Sequence, residues 1–300
     1  HAWTAARTDS SVGVSWLLRS LMVIGNKCDR MAPENQHRRE QRMTDIQPLV
    51  IIERGVEGGD AHVATIRLNR PPNNFFSVGL IEAIAELLEA LDDDDAVRVV
   101  VLAADGKHFC AGADFSGQRE DTTAQLYSAA ARLFRTRKPI VAAIQGAAVG
   151  GGLGLALAAD FRIGTPEARL SANFARLGFH HGFGLSVTLP RLVGQQRAAE
   201  LLYTGRRLNG DDATAIGLLD RLVPLADLEA EAQAFAGEIA GSAPLAVESI
   251  RATLRAGLAD EIVAATDHEM AEQTRLRATA DFAEGTRAMG ERRAPNFERR

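Results

Sequence analysis

A glycine-rich stretch follows a continuous apolar segment in the middle of the chain: Ile140-Val-Ala-Ala-Ile144, then Gly146-Ala-Ala-Val-Gly150-Gly-Gly-Leu-Gly154. The uninterrupted apolar segment predicts a strand buried on both faces, as in a parallel sheet. An apolar helix is predicted from Gly152 to Ala159. Glycines between a strand and a helix let backbone N–H groups approach a ligand and direct the helix N-terminus at negative charge. This unit therefore predicts a ligand-binding turn.

Strands and helices alternate around this unit. The opening predicts a β-hairpin of two strands, 49–53 and 62–69, joined by a Gly-rich turn. Apolar spacing then predicts two helices, 78–91 and 122–135, and two strands, 97–103 and 161–164. Beyond about residue 198 the pattern is mainly helical: 197–203, 228–240, 245–256 and 261–289, with a short strand at 221–224. The fold class is therefore α/β with a helical C-terminal region.

The 300 residues, of which 46% are apolar, suffice for a large buried core. Residues 1–42 carry a net charge of +3 and the remainder −8. We interpret residues 1–42 as an extension outside the fold. Its Arg and Ser content is typical of a cleaved targeting segment. Its acidic residues favour the alternative, that these residues lie upstream of a natural start at Met43. Residues 43–200 are then the α/β core and 201–300 the helical region.

Composition excludes several classes of function. The acidic body argues against a nucleic-acid-binding face, and no apolar run reaches the roughly 18 residues of a membrane helix. Two distant cysteines, Cys28 and Cys110, support neither a disulfide framework nor a zinc site. We expect a cytoplasmic protein without a bound metal.

Two nucleotide-binding motifs fail at the glycine-rich turn. A dinucleotide fingerprint that starts at Gly150 would place its third glycine at Leu155. A Walker loop that starts at Gly146 would need Lys and then Ser or Thr where Gly152 and Leu153 stand. The glycines either serve strand–helix packing or support another ligand.

A second turn of small residues follows the preceding strand: Phe109-Cys-Ala-Gly-Ala-Asp114. Two such turns could direct two N–H groups at one oxygen, the arrangement that stabilises an oxyanion or enolate.

These residues resemble the enoyl-CoA hydratase/isomerase (crotonase-like) superfamily over about residues 45–300. The resemblance rests on the two glycine turns and on further stretches: Leu68–Pro71, Val99–Ala103, Lys138–Gly146, Leu189–Gly194 and Thr204–Leu208. It implies a ββα spiral core, a C-terminal region that forms a homotrimer or a dimer of trimers, and an acyl-CoA thioester substrate. Coenzyme A would enter as part of that substrate, with no separate cofactor.

The resemblance also implies site residues. Its two oxyanion-binding amides correspond to Ala111 and Gly151. Plausible partners for the CoA phosphates are Arg70, Lys107 and Arg292. Further residues expected at the acyl-CoA site are Phe109, Ala113, Asp114, Gly150 and Phe174; Asp114 is alternatively a helix cap.

The chain departs from hydratases at the two positions where these carry catalytic glutamates, here Gly154 and Phe174. Another acid or base is then needed, and His180 and His181 are candidates because imidazole titrates near neutrality. Tyr127 is a third candidate. The histidines could equally be packing or capping residues. A dehalogenase-type nucleophile is not expected, because its position is Gly182.

Two functions remain open. The first is an enzyme of fatty-acid metabolism that acts through a stabilised thioester enolate, as a hydratase, isomerase or hydrolase. The second is a non-catalytic acyl-CoA-binding subunit, which the two absent glutamates favour. RNA binding is disfavoured by the acidic body.

Overall fold

The computed structural model describes residues 48–55, 59–113 and 123–300. Residues 48–300 form one compact unit. The extension predicted at 1–42 lies outside the described residues. The division predicted at residue 200 falls within a helix, Gln195–Thr204.

The main sheet has six strands in the order β1-β2-β3-β4-β6-β8. β1 and β2 form the predicted hairpin, and the other neighbouring strands are parallel. β5 pairs with β7 in a separate parallel sheet. The strands are β1 Val50–Arg54, β2 Val63–Leu68, β3 Val99–Ala104, β4 Ile140–Ile144, β5 Ala147–Val149, β6 Phe161–Gly164, β7 Arg169–Ser171 and β8 Arg221–Leu222.

Helices cover the sheet and form the C-terminal part. They are α1 Val78–Asp92, α2 Thr123–Leu133, α3 Gly151–Ala158, α4 Leu185–Val193, α5 Gln195–Thr204, α6 Gly210–Ala215, α7 Leu228–Ala240, α8 Pro244–Leu254, α9 Leu258–Arg277 and α10 Ala280–Gly290. Among the described residues, none of these helices combines the length and apolarity that a membrane crossing requires.

The long helix predicted over 261–289 is wrong in one respect, because α9 and α10 are separate helices. Thr279 stands between them with an extended backbone. Its hydroxyl donates to Leu276 O at 2.7 Å and accepts from the Phe282 N–H at 3.2 Å. A threonine that caps the second helix in this way ends the first.

The strand β3 is buried along its whole length, which confirms burial of the sheet on both faces. Alternate residues of β3 pack into two different hydrophobic clusters, one on each face of the sheet. Val99 and Val101 pack with Ala232 and Ala236 of α7, whereas Val100 and Leu102 belong to the larger cluster on the other face. This period of two is the strand geometry expected from the sequence.

A buried ion cluster ties α8 to the sheet. Asp160, just before β6, accepts from Arg251 Nε at 2.9 Å and from Arg255 Nη1 at 2.8 Å. Asp160 Oδ2 also accepts from the Ile140 N–H at 2.8 Å, at the start of β4. The Arg251 side chain is 7% exposed. One carboxylate thus joins two strands and a helix.

Removal of this carboxylate should destabilise the fold strongly. Asp160→Ala leaves buried guanidinium groups without their charge partner, so we expect a loss of about 3–5 kcal/mol in the free energy of unfolding. Urea denaturation measures it. Glu89→Ala is the matched control, because the Glu89–Arg132 pair is exposed and should contribute at most about 1 kcal/mol. Equal losses in the two variants would contradict the prediction.

Candidate active site

The two glycine-containing turns run side by side in the same direction. The Cys110 N–H donates to Ala147 O at 2.9 Å, and the Val149 N–H donates to Cys110 O at 3.1 Å. Cys110 and Ala148 therefore form a parallel bridge. Because both chains continue in the same sense, Ala113 and Gly151 follow next to each other and line one cavity.

The backbone N–H groups of these turns differ in whether they already have a hydrogen-bond acceptor. The Ala111 N–H donates to Asn73 O at 2.9 Å, and the Gly150 N–H donates to Ser171 O at 2.8 Å. By contrast, the N–H groups of Ala113 and Gly151 meet no acceptor within the part of the chain that the structure describes. The prediction that the Ala111 amide binds an oxyanion is therefore corrected, because this N–H already has an acceptor.

The cavity has a volume of about 680 Å³, and six aromatic residues contribute to its lining. The aromatic residues that line it are Phe75, Phe76, Tyr127, Phe174, Phe179 and Phe183. Basic side chains also line it: His108, Arg169, Arg207 and Arg277. The described lining residues include no aspartate or glutamate. An apolar group with an anionic tail fits this composition.

Aromatic rings lie at Gly154 and Phe174, the two positions where the sequence departs from the pattern expected of hydratases. A β-carbon at Gly154 would lie 2.7 Å from Cβ and Cδ1 of Phe183. Phe174 is buried and lies 5.4 Å from Phe179 between ring centroids. The wall of the cavity is thus apolar at both positions.

His180 and His181 do not line the cavity. Their rings stack on each other at 4.1 Å between centroids. His181 Nε2 lies 2.8 Å from Ser186 Oγ, whose hydroxyl donates to Glu269 at 2.7 Å. Burial, chiefly, lowers the pKa of His181 to about 4. The prediction that these histidines are the acid or base is therefore corrected: they join the 178–184 loop to α9.

Tyr127 does line the cavity and is 7% exposed. Its hydroxyl has hydrogen bonds with the Phe183 backbone and the Gln273 side chain. Burial, followed by the charge of Glu269, raises the pKa of this phenol. The hydroxyl is consequently protonated at neutral pH and is a poor base.

Four other predicted binding residues lie away from the cavity lining. Phe109 is fully buried in the main core, and its side chain is absent from the cavity lining. The prediction that it contacts the substrate is therefore corrected. Arg70, Lys107 and Arg292 are exposed and are absent from the lining. Ala113, Gly150 and Phe174 line it. Asp114 lies outside the described residues.

Several lining residues were not predicted from the sequence. Arg169 and Arg207 reach the cavity from β7 and from the segment after α5. His108 joins them; its Nδ1 accepts from the Ala147 N–H at 3.1 Å. Burial, with the nearby charges of Arg169 and Lys107, lowers its pKa. From the sequence alone, a basic residue that lines a cavity cannot be distinguished from one that is exposed to solvent. Among the described residues, no cluster suited to a metal ion is present.

Comparisons with known proteins identify the family and the fold. Residues 58–300 match the family model described as enoyl-CoA hydratase/isomerase. A crotonyl-CoA hydratase of Syntrophomonas wolfei is 34% identical over 78% of this chain and 94% of its own length. An enoyl-CoA isomerase/hydratase of Mycosarcoma maydis is 34% identical over 77% of this chain and 90% of its own. The crystal structure of an enoyl-CoA hydratase/isomerase from Pseudoalteromonas atlantica superposes with a TM-score of 0.73, at 29% identity, covering 83% of this chain and 100% of that one.

The fold and the two-turn site therefore define a member of the crotonase-like superfamily. The chain belongs to the enoyl-CoA hydratase/isomerase family, and the predicted crotonase-like α/β fold is confirmed.

Acid should destabilise the fold through His181. The unfolded chain takes up a proton near the ordinary pKa of 6.5, whereas the folded protein resists it until about pH 4. The unfolded state thus binds more protons in this window, and stability falls as the pH drops from about 6.5 to about 4.

Denaturation midpoints of the wild type and of His181→Gln at pH 7 and pH 5 check this expectation. Burial raises the pKa of Glu269, which acts in the opposite direction, so the difference between the two proteins isolates His181. The variant should lose less stability at pH 5. Equal acid sensitivity in the wild type and the variant would refute the assignment.

Proposed function

We propose that this protein binds an acyl-CoA thioester with its carbonyl oxygen between the N–H groups of Ala113 and Gly151. One observation carries the proposal: the two amides, which meet no acceptor among the described residues, follow parallel turns and line one cavity. Two donors at the position of a developing negative charge stabilise an enolate or a tetrahedral oxyanion. Polarisation of the thioester is therefore the basic chemistry of the site.

The charge distribution favours one orientation of the substrate. Arg169, Arg207 and His108 provide positive charge or N–H donors for the phosphates of coenzyme A. The acyl group then contacts the aromatic residues. Arg292 is exposed, and in the homotrimer or dimer of trimers that the family resemblance implies, it could serve a neighbouring subunit. Coenzyme A enters as part of the substrate, and no further cofactor is proposed.

The reaction class follows from what surrounds the amides. Glutamate-assisted hydration lacks both of its carboxylates at Gly154 and Phe174. Tyr127 keeps its proton and can donate but not abstract. We therefore favour a hydrolase type of reaction, in which water attacks the polarised thioester carbonyl and the thiol of coenzyme A leaves with a proton, because isomerisation needs a base to move a carbon-bound proton. The alternative, binding without turnover, is supported by the same lack of carboxylates among the described lining residues.

A panel of thioesters tests the proposal. The purified protein is incubated with enoyl-CoA and acyl-CoA compounds, and the products are followed by mass spectrometry and binding by calorimetry. We expect binding of the thioesters and turnover of at least one. Binding without turnover would favour the non-catalytic alternative, and failure to bind any thioester would reject both.

The amide of Ala113 can be removed selectively. Ala113→Pro deletes an N–H that has no acceptor among the described residues, so the fold loses no such hydrogen bond. Loss of one oxyanion donor costs about 3 kcal/mol, so kcat/KM should fall by a factor on the order of 100. Ala113→Gly keeps the N–H and is the matched control. A similar loss in both variants, or a proline variant that retains full activity at an unchanged Tm, would contradict the assignment.

A further inference from the structure

Phe183 occupies the centre of the altered site. It is 1% exposed and lines the cavity. Its Cβ and ring fill the volume into which any side chain at Gly154 would project, since a β-carbon there would approach to 2.7 Å. A glutamate introduced at 154 would therefore collide with Phe183 before it could reach a substrate.

The backbone of Phe183 is in an unfavourable conformation. Its φ is +63°, and that of the following Gly184 is +70°. For a bulky residue the left-handed region is unfavourable, and it persists only where the surroundings enforce it. Such strain in a cavity wall points to a function for the ring.

Two groups hold this conformation from opposite sides. The Tyr127 hydroxyl has a hydrogen bond with the Phe183 backbone, and Glu269 accepts from the Gly184 N–H at 2.9 Å. Gly182 permits the approach of Tyr127, because a β-carbon at Gly182 would lie 1.8 Å from the phenol oxygen. Glu269 is fully buried and also accepts from the Ser186 N–H at 3.0 Å. The loop is thus fixed with its ring inward.

The ring also supports the wall next to the amides. Phe183 contacts Phe76 edge to face, at 6.4 Å between centroids and 75° between planes. Phe76 in turn covers Gly151, where a β-carbon would lie 2.4 Å from Cε1 of Phe76. The position of Phe183 therefore determines how much space remains beside the Gly151 amide.

We propose that Phe183 is the specificity-determining residue of the acyl site, with Tyr127 and Glu269 as the positioning residues that hold it. The inference rests on the proposed function. Phe183 limits the length of the acyl group and keeps the region beside the thioester apolar, so the site takes compact apolar acyl groups. Acyl groups with a hydroxyl near the thioester are disfavoured, because that hydroxyl would lose its hydrogen bonds to water.

Binding constants for three thioesters test the proposal: butyryl-CoA, 3-hydroxybutyryl-CoA and octanoyl-CoA, measured by calorimetry. The wild type should bind butyryl-CoA at least tenfold more tightly than the hydroxylated compound. Phe183→Gly removes the ring and relieves the strain, so the affinity ratio of octanoyl-CoA to butyryl-CoA should rise at least tenfold. An unchanged ratio overturns the inference alone, whereas a wild type that binds none of the three overturns the proposed function.

The positioning role has its own readout. Tyr127→Phe deletes the hydroxyl that holds the loop, so it should shift the same ratio in the same direction by a smaller factor. In the Phe183→Gly background the Tyr127→Phe substitution should have no effect on the ratio. A shift of equal size in both backgrounds would show that Tyr127 acts on the acyl group by another route and would overturn its role.

A stability cycle tests the steric part without any ligand. Gly154→Ala should lower the Tm because of the contact with Phe183, and adding Phe183→Gly should recover most of that loss. Gly79→Ala, which meets one side-chain atom at 3.4 Å, is the control. Additive changes in the cycle would mean that Phe183 does not occupy the space beside residue 154, and the inference would fall.

Discussion

The site depends on a close approach of two backbone segments. A β-carbon at Gly152 would lie 2.2 Å from Cys110 O, and one at Gly146 would lie 2.1 Å from Lys107 O. Gly112 has a φ of +92°, and a β-carbon there would lie 2.9 Å from Val149 O. Each of these glycines faces the main chain of the other turn. Their absence of side chains is what allows Cys110 to bond to both Ala147 and Val149, and the positions of the two amides follow from that pairing.

Local sequence patterns predicted most of the elements. The strand Ile140–Ile144 and the helix Leu228–Ala240 have the bounds expected from apolar spacing. The strand Ala147–Val149 was missed, since its partner is the distant segment Arg169–Ser171, and a three-residue strand with a remote partner has no period of its own. The helix break at Thr279 was not predicted, because it depends on the hydrogen bonds of the Thr279 hydroxyl with Leu276 O and with the Phe282 N–H.

The candidate site could be predicted only to the level of its turns. Ala111 and Ala113 are equivalent small residues in sequence, and the carbonyl of Asn73, far along the chain, distinguishes them by engaging the first. The histidines were chosen for their chemistry. Their direction is set by the packing of the neighbouring Phe179 and Phe183 into the cavity wall, which leaves the imidazoles on the side of Glu269. Which of two adjacent residues faces inward in an irregular loop depends on tertiary contacts.

The resemblance to a known family predicts a pair of amides and an unusual residue at Gly154 and at Phe174, but it does not say which groups fill the space at those positions. An aromatic residue from a following loop fills the volume beside Gly154. A larger residue introduced at 154 would therefore meet a structural obstacle at Phe183.

The amides of Ala113 and Gly151 belong to the main chain, and peptide N–H groups do not gain or lose protons in the range where proteins are folded. The charge state of this amide pair is consequently constant across that range. Any dependence of activity on acidity has to come from the substrate, from water or from side chains such as His108, so a pH–rate profile would report on the groups around the two amides and not on the amides themselves.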